Sequence, residues 1–436
     1  MRPIVAIVGR PNVGKSTLFN RFVGKRLAIV HDEPGVTRDR HYADAHLSGR
    51  DVVVVDTGGF DPESDDPMRT AIARHVRAAI AEADVTVCVL DATQSPLPAD
   101  REAVELLRRS EKPVVYVANK ADTPTQDVAA AELYELGLDH LIAISGLHGR
   151  GLAEVERAIT AALPDAVAAE PPPADGLKRV ALLGRPNAGK SSLFNRLSHA
   201  DRSLVDSRPG TTRDPIDSVV AHAGQRFVLV DTAGIRRKSK VDTGGEAASV
   251  LRAMRSIERA DIVVLLVDAT EGLAEQDARL LGLCIDRGRG IVIGLNKMDQ
   301  LKAQQKKDVI LDARHATRFA AFAPVLGLSA KTGKGVNDLV RAVGAAAGEF
   351  DRRVSTGELN RFFEQILAQR PPPTRGGRAP RIYYVTQVGT SPPVFAAMSN
   401  APANIDTSYK RFVTNQLRKA FGFDAVPLTV HYRKKT

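Results

Sequence analysis

Gly9-Arg10-Pro11-Asn12-Val13-Gly14-Lys15-Ser16-Thr17 follows the apolar run Ile4–Val8, and Gly184-Arg185-Pro186-Asn187-Ala188-Gly189-Lys190-Ser191-Ser192 follows Arg179–Leu183. Both fit G-x-x-x-x-G-K-[ST] placed between a strand and a helix. In that pattern the glycines let backbone N–H groups cradle phosphates, the lysine reaches the outer phosphates and the hydroxyl holds Mg²⁺. One such match could arise by chance, but two in the same context predict two bound nucleotides.

The signals that follow each loop repeat in register. PGVTRD at Pro34 becomes PGTTRD at Pro209, and Asp56-Thr57-Gly58-Gly59-Phe60 becomes Asp231-Thr232-Ala233-Gly234-Ile235, all offset by 175 residues. Asn119-Lys120-Ala121-Asp122 and Asn296-Lys297-Met298-Asp299 stand 177 apart, and Ser145-Gly146 and Ser329-Ala330 stand 184 apart, a drift that small loop insertions explain. A period this long denotes a duplicated domain rather than a solenoid.

Strand-like runs (Asp51–Val55, Val85–Leu90, Val114–Ala118; then Phe227–Val230, Ile262–Val267, Ile291–Leu295) alternate with helical patterns. The alternation predicts an α/β fold with two doubly wound, mostly parallel sheets. We expect a first nucleotide domain at 1–165, a Pro-rich linker at 166–177, a second nucleotide domain at 178–350 and a small α+β domain at 351–436 with the order α-β-β-α-β. Its second helix carries Tyr409, Phe412, Val413 and Leu417 on one side and ends at Gly422, a C-cap residue.

Charge separates the last part from the rest. Of the net +10, residues 351–436 hold +9, with 14 Lys and Arg against 5 Asp and Glu. That module also holds ten of the 21 Phe and Tyr residues, which either fill a small core or stack on nucleic acid. Candidates for phosphate contact are the strand and tail His431-Tyr432-Arg433-Lys434-Lys435, or Lys410, Arg411, Arg418 and Lys419 on the helix. Cys88 and Cys284 lie in apolar stretches and read as reduced packing residues, which suits a cytoplasmic location. No stretch approaches a membrane span, no secretory signal is expected at the N-terminus, and an asymmetric chain of three domains needs no second copy, so a monomer is expected.

The N-K-x-D tetrapeptides choose the base. An aspartate accepts two hydrogen bonds from the guanine N1–H and 2-amino group, a pair that adenine does not offer. Asp122 and Asp299 would supply this readout, with Asn119, Lys120, Asn296 and Lys297 bracing the ring and loop. Alone, such a tetrapeptide could be a surface turn; behind a phosphate loop in both copies it indicates GTP and GDP. Lys15 and Lys190 would neutralise charge on the transferred phosphoryl. Ser16, Thr37 and Asp56, and in the second copy Ser191, Thr212 and Asp231, are the Mg²⁺ candidates. Thr37 and Thr212 could instead be turn residues beside Pro-Gly, but a threonine that grips the metal only with the γ-phosphate present is the usual basis of a switch. Phe60 and Ile235 stand where many GTPases place a water-orienting glutamine, so unassisted turnover on the order of 10⁻⁴ to 10⁻² s⁻¹ is expected. Asn12 and Asn187 are either loop-stabilising residues or ligands, through their carboxamide oxygens, of a monovalent cation. Arg236, Arg237, Lys238 and Lys240 read as a solvated part of a switch or as an RNA contact.

Taken together, the tandem GRPN-[VA]-GKS loops, DTGG then DTAG, YYVTQVGTSPPVF (Tyr383–Phe395) and SYKRFVTNQLRKAFGF (Ser408–Phe423) resemble the Der (EngA) family of bacterial ribosome-assembly GTPases over nearly the whole chain. The resemblance implies a GTPase fold twice, then a KH-like domain, with a role in maturation of the large ribosomal subunit and contact with rRNA. It also implies potassium-stimulated hydrolysis, with Asn12 and Asn187 as the cation ligands. There are two departures. Ser145-Gly146 replaces the common Ser-Ala, which puts a firm hold on guanine in the first copy in doubt. No G-x-x-G occurs in 351–436, so the usual KH route to a nucleic-acid backbone is in doubt as well. Other classes remain: a GTP/GDP sensor that scaffolds protein partners without turnover, or a potassium-dependent GTPase serving tRNA modification, for which no cofactor motif is present.

Overall fold

The computed structural model describes residues 2–24, 42–57, 83–110, 112–123, 126, 130–164, 176–199, 217–231, 245–373 and 380–435. Thr37, Gly58, Gly59, Phe60, Thr212, Thr232, Ala233, Gly234, Ile235 and the basic run at 236–240 lie outside the described residues.

The first repeat runs β1 (Ile4–Val8), α1 (Lys15–Gly24), β2 (Tyr42–Leu47), β3 (Arg50–Asp56), β4 (Val85–Asp91), α2 (Pro98–Arg108), β5 (Val114–Asn119), β6 (Ile142–Ala143) and α3 (Leu152–Ala162). The second runs β7 (Arg179–Leu183), α4 (Lys190–His199), β8 (Ser218–His222), β9 (Gln225–Leu229), α5 (Gly245–Arg259), β10 (Ile262–Asp268), α6 (Glu275–Asp286), β11 (Gly290–Asn296), α7 (Ala303–Ala316), β12 (Val325–Gly327) and α8 (Val336–Phe350). Their sheets have the same order, β2-β3-β1-β4-β5-β6 and β8-β9-β7-β10-β11-β12. Only the β2–β3 and β8–β9 pairings are antiparallel. These two edge hairpins are not apparent as strand pairs from the hydrophobic pattern. Each is closed by a two-residue turn with both residues at positive φ, Ser48-Gly49 (41° and 91°) and Ala223-Gly224 (48° and 76°), which matches the twist of a hairpin.

Every residue of β4, β10 and β11 is buried, as expected of parallel strands covered on both faces. Parallel pairing brings Ile7 beside Asp56 and Asp91 beside Asn119, so the ends of β1, β3, β4 and β5 line one edge of the sheet. Asp268 beside Asn296 repeats the arrangement. The phosphate loops, the N-K-x-D segments and the Ser145 and Ser329 loops leave from these carboxyl ends, where ligands bind in open α/β sheets.

By its contacts the chain divides into two units, Met1–Pro171 with Ser239–Glu258, and Pro172–Lys238 with Arg259–Thr436. In the first, Val5, Ile7, Leu18, Phe22, Val87, Val117, Val155 and Ile159 form a core between sheet and helices. The second unit includes the C-terminal elements α9 (Thr356–Gln369), β13 (Ile382–Gly389), β14 (Val394–Ser399), α10 (Thr407–Phe421) and β15 (Thr429–Lys434), in the α-β-β-α-β order read from the sequence. A capping box between Ser355 and Glu358 starts α9, the Asp406 carboxylate accepting from Tyr409 N (2.6 Å) starts α10, and Gly422 at φ 66° ends it.

One apolar cluster runs from Val180 through Leu339 and Phe350 to Phe395, Val413 and Val426, so the second sheet and the C-terminal domain share a core. Polar contacts close the junction. Ile291 N donates to Ala425 O (2.7 Å), Ala425 N donates to Glu349 Oε2 (2.7 Å), and Asp351 accepts from Lys178 and from Ser391. Burial pushes the Glu349 carboxyl above its ordinary range.

Candidate nucleotide sites

Each phosphate loop is shaped by glycines that no other residue could replace without moving a neighbour. Gly14 lies at φ 94° and Gly189 at φ 96°, and a Cβ on either would stand 2.1 Å from the side-chain nitrogen of Asn119 or Asn296. Those asparagines explain the close approach. Asn119 Nδ2 donates to Val13 O (2.8 Å) while its Oδ1 accepts from Gly146 N (2.9 Å). In the second copy Asn296 Nδ2 donates to Ala188 O (2.8 Å) and its Oδ1 accepts from Ala330 N (2.8 Å). One buried carboxamide therefore fixes the phosphate loop against the loop that carries Ser145-Gly146 or Ser329-Ala330, and satisfies its own polar atoms in doing so.

The aspartates expected to read the base are held in the same places. Ser145 Oγ donates to Asp122 Oδ1 (2.5 Å), and Ser329 donates to Asp299, holding that carboxyl below its usual range. The loops are further set by Ala121 N on Ile144 O (2.9 Å) and Met298 N on Leu328 O (3.1 Å). Lys120 and Lys297 both adopt positive φ, 69° and 65°, and turn their ammonium groups toward Asp91 (2.7 Å) and Asp268. Burial pushes the Asp91 carboxyl up, but hydrogen bonds from Lys120, Thr93 and Gln94 outweigh it and hold the group at about 2. Asp268 is lowered by the same kind of contacts against burial.

On the phosphate side, Lys15 Nζ donates to Arg10 O (2.8 Å), and Lys190 Nζ to Gly184 O (2.6 Å) and Arg185 O (2.8 Å). Both lysines thus fold over the mouth of their loop. Burial lowers the Lys15 pKa, with Asp56 opposing and Arg10 adding to the effect. Ser16 Oγ donates to Asp56 Oδ2 (2.6 Å), which brings two of the three first-copy Mg²⁺ candidates together. The hydroxyl of Thr57 turns inward instead, donating to Ile7 O (2.8 Å). Asp231 lies at φ 57°, with its N–H on Asp217 Oδ1 (3.3 Å). Asn12 and Asn187 are exposed and occupy the left-handed region at φ 64° and 62°, a conformation that asparagine tolerates better than most residues. Pro11, Pro186, Ser192 and Thr17 line the outer surface, while Val13 and Ala188 are buried beneath the loop.

Two pairs of site residues, Asp91 with Asp268 and Asp100 with Asp277, escape the motif reading. Asp91 and Asp268 end their strands at the same 177-residue offset as the N-K-x-D motifs, a signal present in the sequence. The arginines of the phosphate-loop motif meet carboxylates of these pairs. Arg10 pairs with Asp91 (3.5 Å) and Asp100 (3.3 Å), whereas Arg185 pairs with Asp277 (3.1 Å) and Glu271 (3.1 Å). Asp100 and Asp277 also cap α2 and α6, so these ion pairs tether each phosphate loop to the helix after β4 or β10.

One of the proposed phosphate contacts of the C-terminal domain needs correction. Arg418 is used internally: it donates to Phe423 O and Val426 O and stacks 4.3 Å above the Phe322 ring, and burial brings its pKa down to about 10. Lys410 lies 5.6 Å from the Tyr432 ring, a contact that leaves it among the candidates. Cys88 and Cys284 are free and buried, and burial raises both thiols to about 12, consistent with packing.

Comparison with known proteins agrees with this geometry. A family model described as "50S ribosome-binding GTPase" matches residues 4–120 and 179–297, and one described as "KH-domain-like of EngA bacterial GTPase enzymes, C-terminal" matches 353–433. The GTPase Der of Salinispora arenicola is 44% identical over 434 residues, covering 100% of this chain and 92% of that protein. Those of Myxococcus xanthus (43% over 440 residues, 99% and 96% covered) and Geotalea daltonii (42% over 435 residues, 99% and 98% covered) are similarly close. No described helix is long and apolar enough to cross a membrane. With duplicated guanine-type sites, a KH-like domain and relatives matched end to end, the chain belongs to the Der (EngA) family of GTPases, GTP-binding switch proteins that hydrolyse GTP.

Proposed function

We propose that the chain acts as a cytoplasmic, monomeric switch in assembly of the large ribosomal subunit, holding one guanine nucleotide in each repeat and contacting rRNA through its C-terminal domain. The observation that carries this reading is the asparagine brace, present with equivalent partners in both repeats, which ties the phosphate loop to the base loop in each. A domain of charge +9 sharing its core with the second repeat supports a ribosomal partner, since phosphate-rich surfaces attract such a module.

In this reading Asp122 and Asp299 accept the guanine edge, Lys15 and Lys190 leave their loop carbonyls for the outer phosphates, and the N-termini of α1 and α4 face the phosphate chain. A hydroxyl and a carboxylate only 2.6 Å apart at Ser16 and Asp56 suit an ion that prefers oxygen ligands. Ser16, Asp56 and Thr37, and Ser191, Asp231 and Thr212, would hold Mg²⁺, which when bound neutralises charge building on the phosphates. Asn12 and Asn187 project exposed carboxamides from the same loops and would hold K⁺, with hydrolysis stimulated by that ion and by the ribosomal particle.

The test is co-sedimentation of the full chain with large subunits in a GTP analogue and in GDP, alongside GTPase assays in potassium and sodium. Binding that depends on the nucleotide, with hydrolysis raised by subunits, is expected. Equal binding in both states overturns the switch, and rates unaffected by subunits would favour a sensor that scaffolds proteins.

A further inference from the structure

The aromatic residues of the C-terminal domain divide into two groups. Phe363, Phe395, Phe423 and Tyr409 are buried, and Phe362, Phe412, Phe421 and Tyr432 pack against the same core, several in edge-to-face pairs. Tyr383 and Tyr384 are 44% and 40% exposed, although they are consecutive residues of one strand. Strict alternation would bury one of them.

A β-bulge explains the exception. Pairing of β13 with β14 slips between Ile382, opposite Ser399, and Tyr384, opposite Met398, and the extra residue lets both tyrosines reach solvent while Ile382 and Val385 stay in the core. A second slip, between Gln387 and Gly389, leaves Val388 58% exposed. Three of the eight large apolar side chains exposed among the described residues therefore lie on this one strand.

Cations lie beside Tyr383 and in the row of Tyr384. Register places Tyr384, Met398 and Arg433 in one row across the sheet, and Thr386, Ala396 and His431 in the next. These rows form the sheet face opposite the one that packs on the helices, since Val385, Ala397 and Phe395 belong to the core. Lys435 lies 4.9 Å and Arg381 5.8 Å from the Tyr383 ring. Strands β13, β14 and β15 contain no Asp or Glu.

We infer that this open face is a stacking platform for single-stranded RNA, with unpaired bases laid on Tyr384 and Tyr383 and phosphates met by Arg433, Arg381 and Lys435. Aromatic rings beside cations suit bases joined by phosphates, and a sheet that presents both can bind without the missing G-x-x-G loop. An acidic protein would use the cations but has no need of two bare rings. The inference rests on the reading that this chain meets ribosomal RNA, and it names the surface that does so.

Fluorescence anisotropy of the full chain with a labelled 12-nucleotide single-stranded RNA of mixed sequence, and with the same strand annealed to its complement, tests the platform. The wild type binds the single strand more tightly. Tyr384→Ala and Tyr383→Ala each weaken that binding about tenfold, the loss expected when one stacked base is released. Tyr384→Phe stays within about twofold of wild type, and Arg433→Ala lowers the slope of log affinity against log salt by about one. Basal GTPase activity and melting temperature stay unchanged in all four, which separates lost contact from lost folding. Wild-type affinity in the Tyr383→Ala/Tyr384→Ala double variant overturns the platform, as does equal binding of single strand and duplex. Absence of single-stranded RNA binding, with subunit co-sedimentation intact, would instead assign this face to a protein partner and also overturn it. Failure of the switch reading is seen separately, as co-sedimentation that ignores the bound nucleotide.

Discussion

The two nucleotide sites carry the same chemistry but are embedded differently. In the first repeat, Asp91 receives both Lys120 from the base loop and Arg10 from the phosphate loop, and the apolar core of the unit lies within the first sheet and its helices. In the second, Asp268 receives Lys297 while Arg185 turns to Glu271, and the core continues through Phe350 into the C-terminal domain. The two repeats keep the same brace between candidate loops and differ in what those loops are attached to. The first site is braced internally by a shared carboxylate; the second is built into the same body as the basic domain.

The largest effect should come from breaking the brace that both sites share. Gly14→Ala and Gly189→Ala each drive a methyl into an asparagine 2.1 Å away at a φ that alanine avoids. Each should abolish nucleotide binding at its own repeat, so titration calorimetry falls from two guanine nucleotides per chain to one. Loss of both sites from either change would show that the repeats are not independent.

Embedding can be tested by stability. Phe350 and Phe22 are fully buried, one in each core, and Phe→Ala at such positions costs about 3–5 kcal/mol. Phe350→Ala should lower one cooperative transition that contains both the second repeat and the C-terminal domain. Phe22→Ala should lower a transition that leaves the C-terminal domain folded. Differential scanning calorimetry distinguishes them, and a C-terminal domain that melts apart from the second repeat in Phe350→Ala would refute the shared core.

Much of this was legible in the sequence. Strands β1 and β7 begin and end where the apolar runs do, because a phosphate loop must follow a buried parallel strand directly. The asparagine brace was visible as a residue but not as a tie, since its partners lie 106 and 27 residues away in the first repeat and sequence spacing does not report contact. The edge hairpins were hidden because β2 and β8 alternate only weakly, and the turn dipeptides Ser48-Gly49 and Ala223-Gly224 were their real signal. Composition could not tell which cations of the C-terminal domain are free for a ligand, because a guanidinium such as Arg418 serves backbone carbonyls as readily as phosphate.

Internal bracing of the first site predicts a smaller asymmetry. Asp91→Asn removes the charge facing both Arg10 and Lys120, and the charge-assisted hydrogen bond from Lys120 alone is worth about 1.5–3 kcal/mol. Release of a fluorescent GDP analogue from the first site should quicken about tenfold or more. Asp268→Asn, which relaxes one lysine, should act less on the second. The pH dependence has a definite sign. A carboxyl held at about 2 keeps its ion pairs at all pH values above the ordinary carboxylate range and loses them only as pH falls from about 4 toward 2. Release should therefore show no step from Asp91 between pH 5 and 8, and one there would break the assignment.

The finest difference between the sites is the residue after the base-loop serine, Gly146 in one and Ala330 in the other. Their N–H groups meet the asparagine at nearly equal distances, 2.9 and 2.8 Å, so the backbone brace does not distinguish them. Space does. A Cβ on Gly146 would lie 3.1 Å from Asn119 Oδ1 and 3.4 Å from Thr17 Cγ2, close enough that the asparagine must shift by a few tenths of an ångström. Gly146→Ala lowers the entropy of the unfolded chain by an amount worth up to about 1 kcal/mol, which raises the melting temperature if Asn119 yields. Because Asn119 also carries the phosphate loop, the same shift should weaken GDP at the first site about two- to fivefold, a modest overpacking effect. A rise in melting temperature together with weaker GDP binding would show that the first repeat keeps its glycine for the ligand; a rise in both would place the asymmetry of the two sites elsewhere.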